Sequence, residues 1–263
     1  MYYKKLSSFP NNFLWGASIS AYQAEGASNE DGKLPSIIDK YNHPEHVANF
    51  EVASDFYHHY KEDIQLLAKM GLKAFRFSIA WTRIMTFDNQ RVNKKGIDFY
   101  HAVIDECIKN NIEPIVTMYH FDLPYILEER GGWSNRDTID AFLDYVKVLF
   151  EAYGEKVKYW LTINEQNTMI LHPGAIGIPE NGKLPTKKVL FQMNHHVLLA
   201  QAQAISLYHH LNLPGQIGPA INLTAMYQAT AAPNDAIAAH NWETLRGWSF
   251  LDVVVRGSYN YLF

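Results

Sequence analysis

Four polar residues stand in or just after short apolar runs of β-forming character: Arg76 inside the run 74–80, His120 at the end of 113–120, and Asn164 and Glu165 at the end of 159–164. Among them a carboxylic acid, an amide, an imidazole and a guanidinium can move a proton and hold hydroxyl groups. At the end of a buried strand among apolar neighbours, the Glu165 carboxyl should be kept protonated by desolvation, which suits a general acid; the plainer reading is an acid at the start of the following helix. Asn164 beside it can hold a substrate hydroxyl or its own loop backbone. His120 can bind a hydroxyl or be a satisfied structural histidine. Arg76 would be costly to bury unpaired and so predicts a carboxylate partner, either a nucleophile it keeps ionised or a structural mate.

Other reactive types carry less. The doublets His58-His59, His195-His196 and His209-His210 invite a metal, but adjacent helical residues point about 100° apart, and the last two doublets are about 20 Å apart along a helix, so neither makes a ligand cluster. Cys107, the single cysteine, sits on a helical stripe and reads as core filler. A single cysteine excludes an intramolecular disulfide and fits a reducing compartment, so a cytoplasmic location is expected. The spacing of these groups gives no metal site.

The elements that must position these groups are five apolar runs, 13–18, 74–80, 113–120, 159–164 and 216–222, too continuously apolar for one-faced antiparallel strands and expected to be parallel and buried. Between them lie amphipathic stretches. Val52, Phe56, Tyr60, Ile64 and Leu67 are spaced three or four apart before Gly71; Ile97, Tyr100, Ile104 and Ile108 mark a helix over 94–110. Ile139, Phe142, Val146 and Phe150 follow a cap at Ser134 or Asn135 and end at Gly154; Val189, Met193, Val197 and Ile205 follow Thr186. A fifth helix is expected from about Asn234.

This alternation implies a parallel sheet with right-handed crossovers, either an open doubly wound sheet or a closed barrel. No G-x-G-x-x-G or G-K-[ST] element follows the first run, which favours a (β/α)8 barrel of TIM type, incomplete at about five βα units. With no repeat, low-complexity tract or linker, residues 1–263 are expected to form one domain. The 263 residues are 48% hydrophobic and carry a net charge of -4, giving nucleic acid or an anionic membrane little electrostatic support. The N-terminus lacks the apolar run of a signal peptide, and no stretch approaches a membrane span.

The sequence resembles glycoside hydrolase family 1 over essentially its whole length. FLWGASISAYQAEG at 13–26 is similar to the family's long N-terminal signature, and FRFSIAWTRI at 75–84, YHFDLP at 119–124 and TINE at 162–165 follow in the family's order. The resemblance implies hydrolysis of β-glycosides with retention, Glu165 acting as acid and then base, and Gln23, His120 and Asn164 holding hydroxyls of the glycone. Arg76 looks like the family's support for the nucleophile, and Asn222, with Tyr227, resembles further members of the site.

Three departures stand out. Gln166 replaces the proline after the acid/base glutamate and Phe121 replaces a tryptophan, both resembling the bacterial 6-phospho-β-glucosidase branch, so a β-glucoside or a phosphorylated disaccharide is the expected substrate. The family's nucleophile lies in a Glu-Asn-Gly motif on strand seven, so it is expected to be missing from a chain with five strands. Glu180-Asn181-Gly182 repeats that tripeptide in a Pro- and Gly-punctuated loop, where Asn-Gly serves a turn. A partial barrel would leave an unpaired edge, and a homo-oligomer covering it is expected. The alternative is a non-catalytic sugar-binding or self-assembling partial barrel.

Overall fold

The computed structural model describes residues 7–40, 49–88, 92–176 and 185–259. Five parallel strands, β1 (Gly16–Ser18), β2 (Ala74–Ser78), β3 (Glu113–Tyr119), β4 (Tyr159–Asn164) and β5 (Gln216–Ala220), form one sheet in the order β1-β2-β3-β4-β5. Each is followed by helix: α1 (Phe56–Lys69), α2 (Lys94–Lys109), α3 (Asp137–Tyr153), α4 (Lys187–His210), then α5 (Pro233–Glu243) and α6 (Ser249–Arg256) after β5. A doubly wound sheet reverses its strand order at a switch point, whereas here every strand neighbours its successor, as staves of a (β/α)8 barrel do. The described residues form five such staves, an incomplete barrel.

Local chemistry fixes the helix ends. The Thr186 hydroxyl accepts from the Val189 N–H (3.4 Å) and opens α4, and Asn93 Oδ1 accepts from the Lys95 N–H (3.2 Å) and opens α2. Gly71 closes α1 at φ +84°, a conformation that costs a glycine little. Asn135 Oδ1 accepts from the Asp137 N–H (3.0 Å) at the mouth of α3, where a cap was expected.

The strands match the expected runs in number and order but are shorter at the edges of the sheet. The expectation that all five are buried fails for β1, which is exposed throughout, and for β5, exposed to half-buried; each has a strand on one side only. In β3 and β4 the two faces differ. Val116, Met118 and Trp160 are buried under the helices, while Ile115 and Leu161 on the opposite face are half-buried, because that face looks into the barrel.

The core therefore lies between the sheet and α1 to α4, with Phe75 against Phe56 of α1, and Phe150 of α3 between Trp160 of β4 and Tyr208 of α4. On α2 the buried stripe is Phe99, Tyr100, Val103, Ile104 and Cys107, and Ile108 is exposed; the helix is rotated from the expected face, with Phe99 packed against Tyr57 and Tyr60 of α1. No helix among the described residues is long and apolar enough to cross a membrane.

Candidate functional site

The C-terminal ends of the strands carry a continuous polar network. Arg76 on β2 lies on the face opposite Phe75 and Phe77, so its guanidinium enters the barrel interior. Its Nε donates to Thr117 Oγ1 on β3 (3.0 Å) and its Nη2 to Asn164 Oδ1 at the end of β4 (2.5 Å). With its oxygen so used, the Asn164 amide directs Nδ2 at His120 Nε2 (3.1 Å). Nδ2 can only donate, so Nε2 accepts and the imidazole is neutral with its proton on Nδ1. Burial and then the Arg76 charge pull the imidazole down to about 4, in keeping with that form. Three strands are thus tied by a guanidinium–amide–imidazole chain.

Glu165 follows Asn164 on left-handed backbone (φ +44°), unusual for a residue with a long side chain. Its N–H donates to the Ala220 carbonyl of β5 (2.6 Å) and its carbonyl accepts from the Thr168 N–H (2.8 Å), two bonds that hold the strained turn. The carboxylate accepts a long bond from Thr168 Oγ1 (3.4 Å) and is half-buried, so the full desolvation expected of it is not supplied by these residues. It is the carboxylate whose charge opposes the desolvation of Arg76. No carboxylate lies within ion-pair distance of Arg76 among the described residues; its contacts are neutral oxygens.

Both residues after Glu165 are buried, and the amide nitrogen of each donates to a neighbour. Gln166 Nε2 donates to Asn194 Oδ1 on α4 (2.8 Å). Asn167 Nδ2 donates to the carbonyls of Asn222 (2.8 Å) and Arg246 (2.6 Å), and its Oδ1 accepts from the Asn222 N–H (3.2 Å). Arg246 lies in a π-helical turn, Thr244–Trp248, between α5 and α6. Asn222 is thus held at the rim through its backbone.

Gln23 stands apart. It lies on the short helix Ala21–Ala24 after β1, exposed, with its Oε1 accepting from Ser20 Oγ (2.6 Å) rather than joining the His120–Asn164 pair. Tyr227, beyond Asn222, is exposed. Sequence reasoning passed over Tyr22, whose ring meets His120 edge-on (centroids 6.0 Å). Its phenol is pushed up to about 12 by burial first and then by the charges of Asp122 and Glu165. The signal was the aromatic next to Gln23 in an otherwise small-residue stretch; the general tendency of rings to fill cores hid it.

The loop bearing these residues is pinned from below by a buried ion pair: Arg83 Nε donates to Glu25 Oε2 (2.7 Å), and the Tyr100 hydroxyl to Glu25 Oε1 (2.6 Å). Two of the histidine doublets are engaged elsewhere. His58 meets Asp55 (2.6 Å) and Glu30 (3.1 Å), and His196 meets the Trp133 carbonyl (2.8 Å) and Gln192 (2.9 Å). The tripeptide Glu180-Asn181-Gly182 lies outside the described residues.

The model of the family described as glycosyl hydrolase family 1 matches residues 5–262. Beta-glucosidase A of Acetivibrio thermocellus is 40% identical over 256 residues, 96% of this chain and 57% of that protein. A 6-phospho-beta-glucosidase of Clostridium longisporum is 42% identical over 266 residues, 96% of this chain and 56% of that protein. Among solved structures, a beta-glucosidase from Thermotoga maritima in complex with glucoimidazole superposes with a TM-score of 0.89 at 37% identity, covering 98% of this chain and 59% of that one. The chain spans a little over half the length of these relatives.

Proposed function

Since the chain belongs to glycosyl hydrolase family 1, we propose that the protein hydrolyses β-glycosidic bonds with retention, with Glu165 protonating the leaving oxygen and later activating water. The observation that carries this reading is the position of Glu165: at the end of β4, on left-handed backbone, next to the Arg76–Asn164–His120 chain. In this scheme His120 Nδ1–H and Tyr22 face glycone hydroxyls, Asn164 and Gln23 add amide contacts, and Asn222 closes the far side of the rim. Retention needs a second carboxylate about 5 Å from the first, the nucleophile. We assign it to a part of the barrel outside β1 to β5, and assign Arg76, which has charge to spare for an anion, to keeping it ionised. No metal or organic cofactor is required.

The substrate is a β-glucoside or a 6-phospho-β-glucoside. Gln166 and Phe121 resemble the phosphorylated branch, and relatives of both kinds are about equally similar to this chain, so the 6-phosphate is the variable to test. The buried thiol of Cys107 is compatible with a cytoplasmic enzyme of this sort, and we take residues 1–263 as part of one barrel domain.

Nitrophenyl β-glucoside, with and without a 6-phosphate, is the test. Glu165→Gln should lower kcat by roughly a hundredfold or more while leaving binding of a glucose analogue within a few-fold, since a general acid contributes about 10²–10⁴. Unchanged turnover in the variant would remove Glu165 from the reaction. A second reading, a sugar-binding partial barrel that self-associates, is favoured by the apolar side chains standing exposed beside both edge strands, Trp15 at β1 and Leu223 after β5. Binding of the glucoside without turnover, in an oligomer, selects it.

A further inference from the structure

Beneath the rim that presents His120, a small pocket lies between the loop after β1 and the ends of β2 and β3; Tyr22, Glu25, Lys33, Ser36, Thr82 and Asp122 are among its lining residues. It offers ≈ 10 Å³ to a water-sized sphere, about the room of one water molecule. Most polar atoms around it are committed. Both Glu25 oxygens accept, from Arg83 and Tyr100, while Lys33 Nζ (2.7 Å) and the Ser36 hydroxyl (2.8 Å) donate to Asp39 Oδ2. Two are not: Asp122 Oδ2 and Thr82 Oγ1 have no hydrogen-bond partner among the described residues, although Asp122 is 2% and Thr82 1% exposed. Buried polar atoms of folded proteins are satisfied as a rule, by protein or by ordered water.

The two atoms are complementary. In its ionised form, which prevails above about pH 7, the Asp122 carboxylate can only accept, and the Thr82 hydroxyl has a proton to give, yet the two do not bond each other directly. A bridging molecule must therefore accept from one and donate to the other within the space of a single small polar group. We propose that this pocket is a binding site for one structural water, which accepts from Thr82 Oγ1–H and donates to Asp122 Oδ2.

The water would act at the rim through Asp122. The other carboxylate oxygen, Oδ1, accepts from the His120 N–H (3.4 Å) and closes a turn in which Phe121 takes φ +68°, a left-handed conformation rare for an aromatic residue. The chain runs from Thr82 on the β2 side, through water and Asp122, to the backbone that aims the His120 ring. It requires nothing of the hydrolytic reading, and holds whether or not the protein turns over a glycoside.

A high-resolution crystal structure of the full chain should show one density peak about 2.7–3.2 Å from both atoms. In solution the Thr82 γ-methyl should give a nuclear Overhauser effect to a slowly exchanging water. Thr82→Ser should keep the crystallographic peak; Thr82→Val should lose it and lower Tm by about 2–4 °C. Four results overturn the site: a direct Thr82–Asp122 bond, the Lys33 ammonium swung from Asp39 into the pocket, a cation in short contact with four or more oxygens, or a peak unchanged in Thr82→Val.

Discussion

At the residue scale, His120 and Asp122 pull the pH dependence of stability in opposite directions over one window. The His120 imidazole, facing Arg76, Asn164 and Tyr22, is held down to about 4 in the folded protein, against about 6.5 in an unfolded chain. Folding therefore weakens its proton affinity, and its contribution, full above the unfolded value, is lost as pH falls from about 6.5 to about 4. Asp122 behaves conversely. Burial, reinforced by the Glu25 charge and opposed by Lys33, pushes its carboxyl up to about 7, so its contribution is full below about 4 and lost as pH rises through 7. His120→Gln should remove the acid-side loss, so that its urea midpoint falls less than that of the parent between pH 6.5 and 4.5. Asp122→Asn should make that fall steeper; parallel curves for all three proteins would contradict both assignments. Neither shift could be read from YHFDLP, since each depends on what the fold packs against the side chain.

The element that matters most is the turn after β4, where a chemically loaded residue sits on unfavourable backbone between two buried amides. Glu165 can keep φ +44° because Asn167 ties the turn to the loop after β5 and to the π-helical segment before α6. Asn167→Ala removes three hydrogen bonds and leaves half-buried backbone groups without a partner, which should cost about 1–3 kcal/mol. Amide exchange at Glu165 and Asn222 should quicken in step; a variant as stable as the parent, with unchanged exchange, would show that the turn is held by other means. Some of this scale was legible. Caps at Thr186, Asn135 and Gly71 follow from local chemistry and stand where the spacing puts them, and the strand run 159–164 coincides with β4. The rotation of α2 was not legible, because three-and-four spacing admitted two adjacent stripes and only tertiary packing, including Tyr57 and Tyr60 of α1 against Phe99, selected between them. The role of Asn167 was likewise invisible, its partners being 55 and 79 residues away in sequence.

For the whole molecule, the decisive feature is that both ends of the sheet carry exposed apolar groups. Trp15 beside β1 is 53% exposed and packs with Phe9 and Phe13; just after β5 Leu223 is 57% exposed, and further along the chain Val255 on α6 is 78% exposed. Contiguous apolar surface next to unpaired strand edges drives association. This chain by itself should shift to larger species in sedimentation as concentration rises, and Trp15→Lys combined with Val255→Lys should move it back towards monomer; a monomer at all concentrations would dismiss the expectation. What the amino-acid sequence determined unaided was the succession of βα units, the parallel sheet they must form, and the polar residues left at strand ends, because hydrophobic period and turn chemistry act over a few residues at a time. It could not decide which of those residues meet. Arg76 grips Thr117 and Asn164, Gln23 bonds Ser20, and Tyr22 stands next to the His120 imidazole, pairings that no local pattern announced. Those choices rest on how the twisted sheet converges its strand ends, a distance relation between residues up to 88 apart in sequence that only the closed tertiary packing sets.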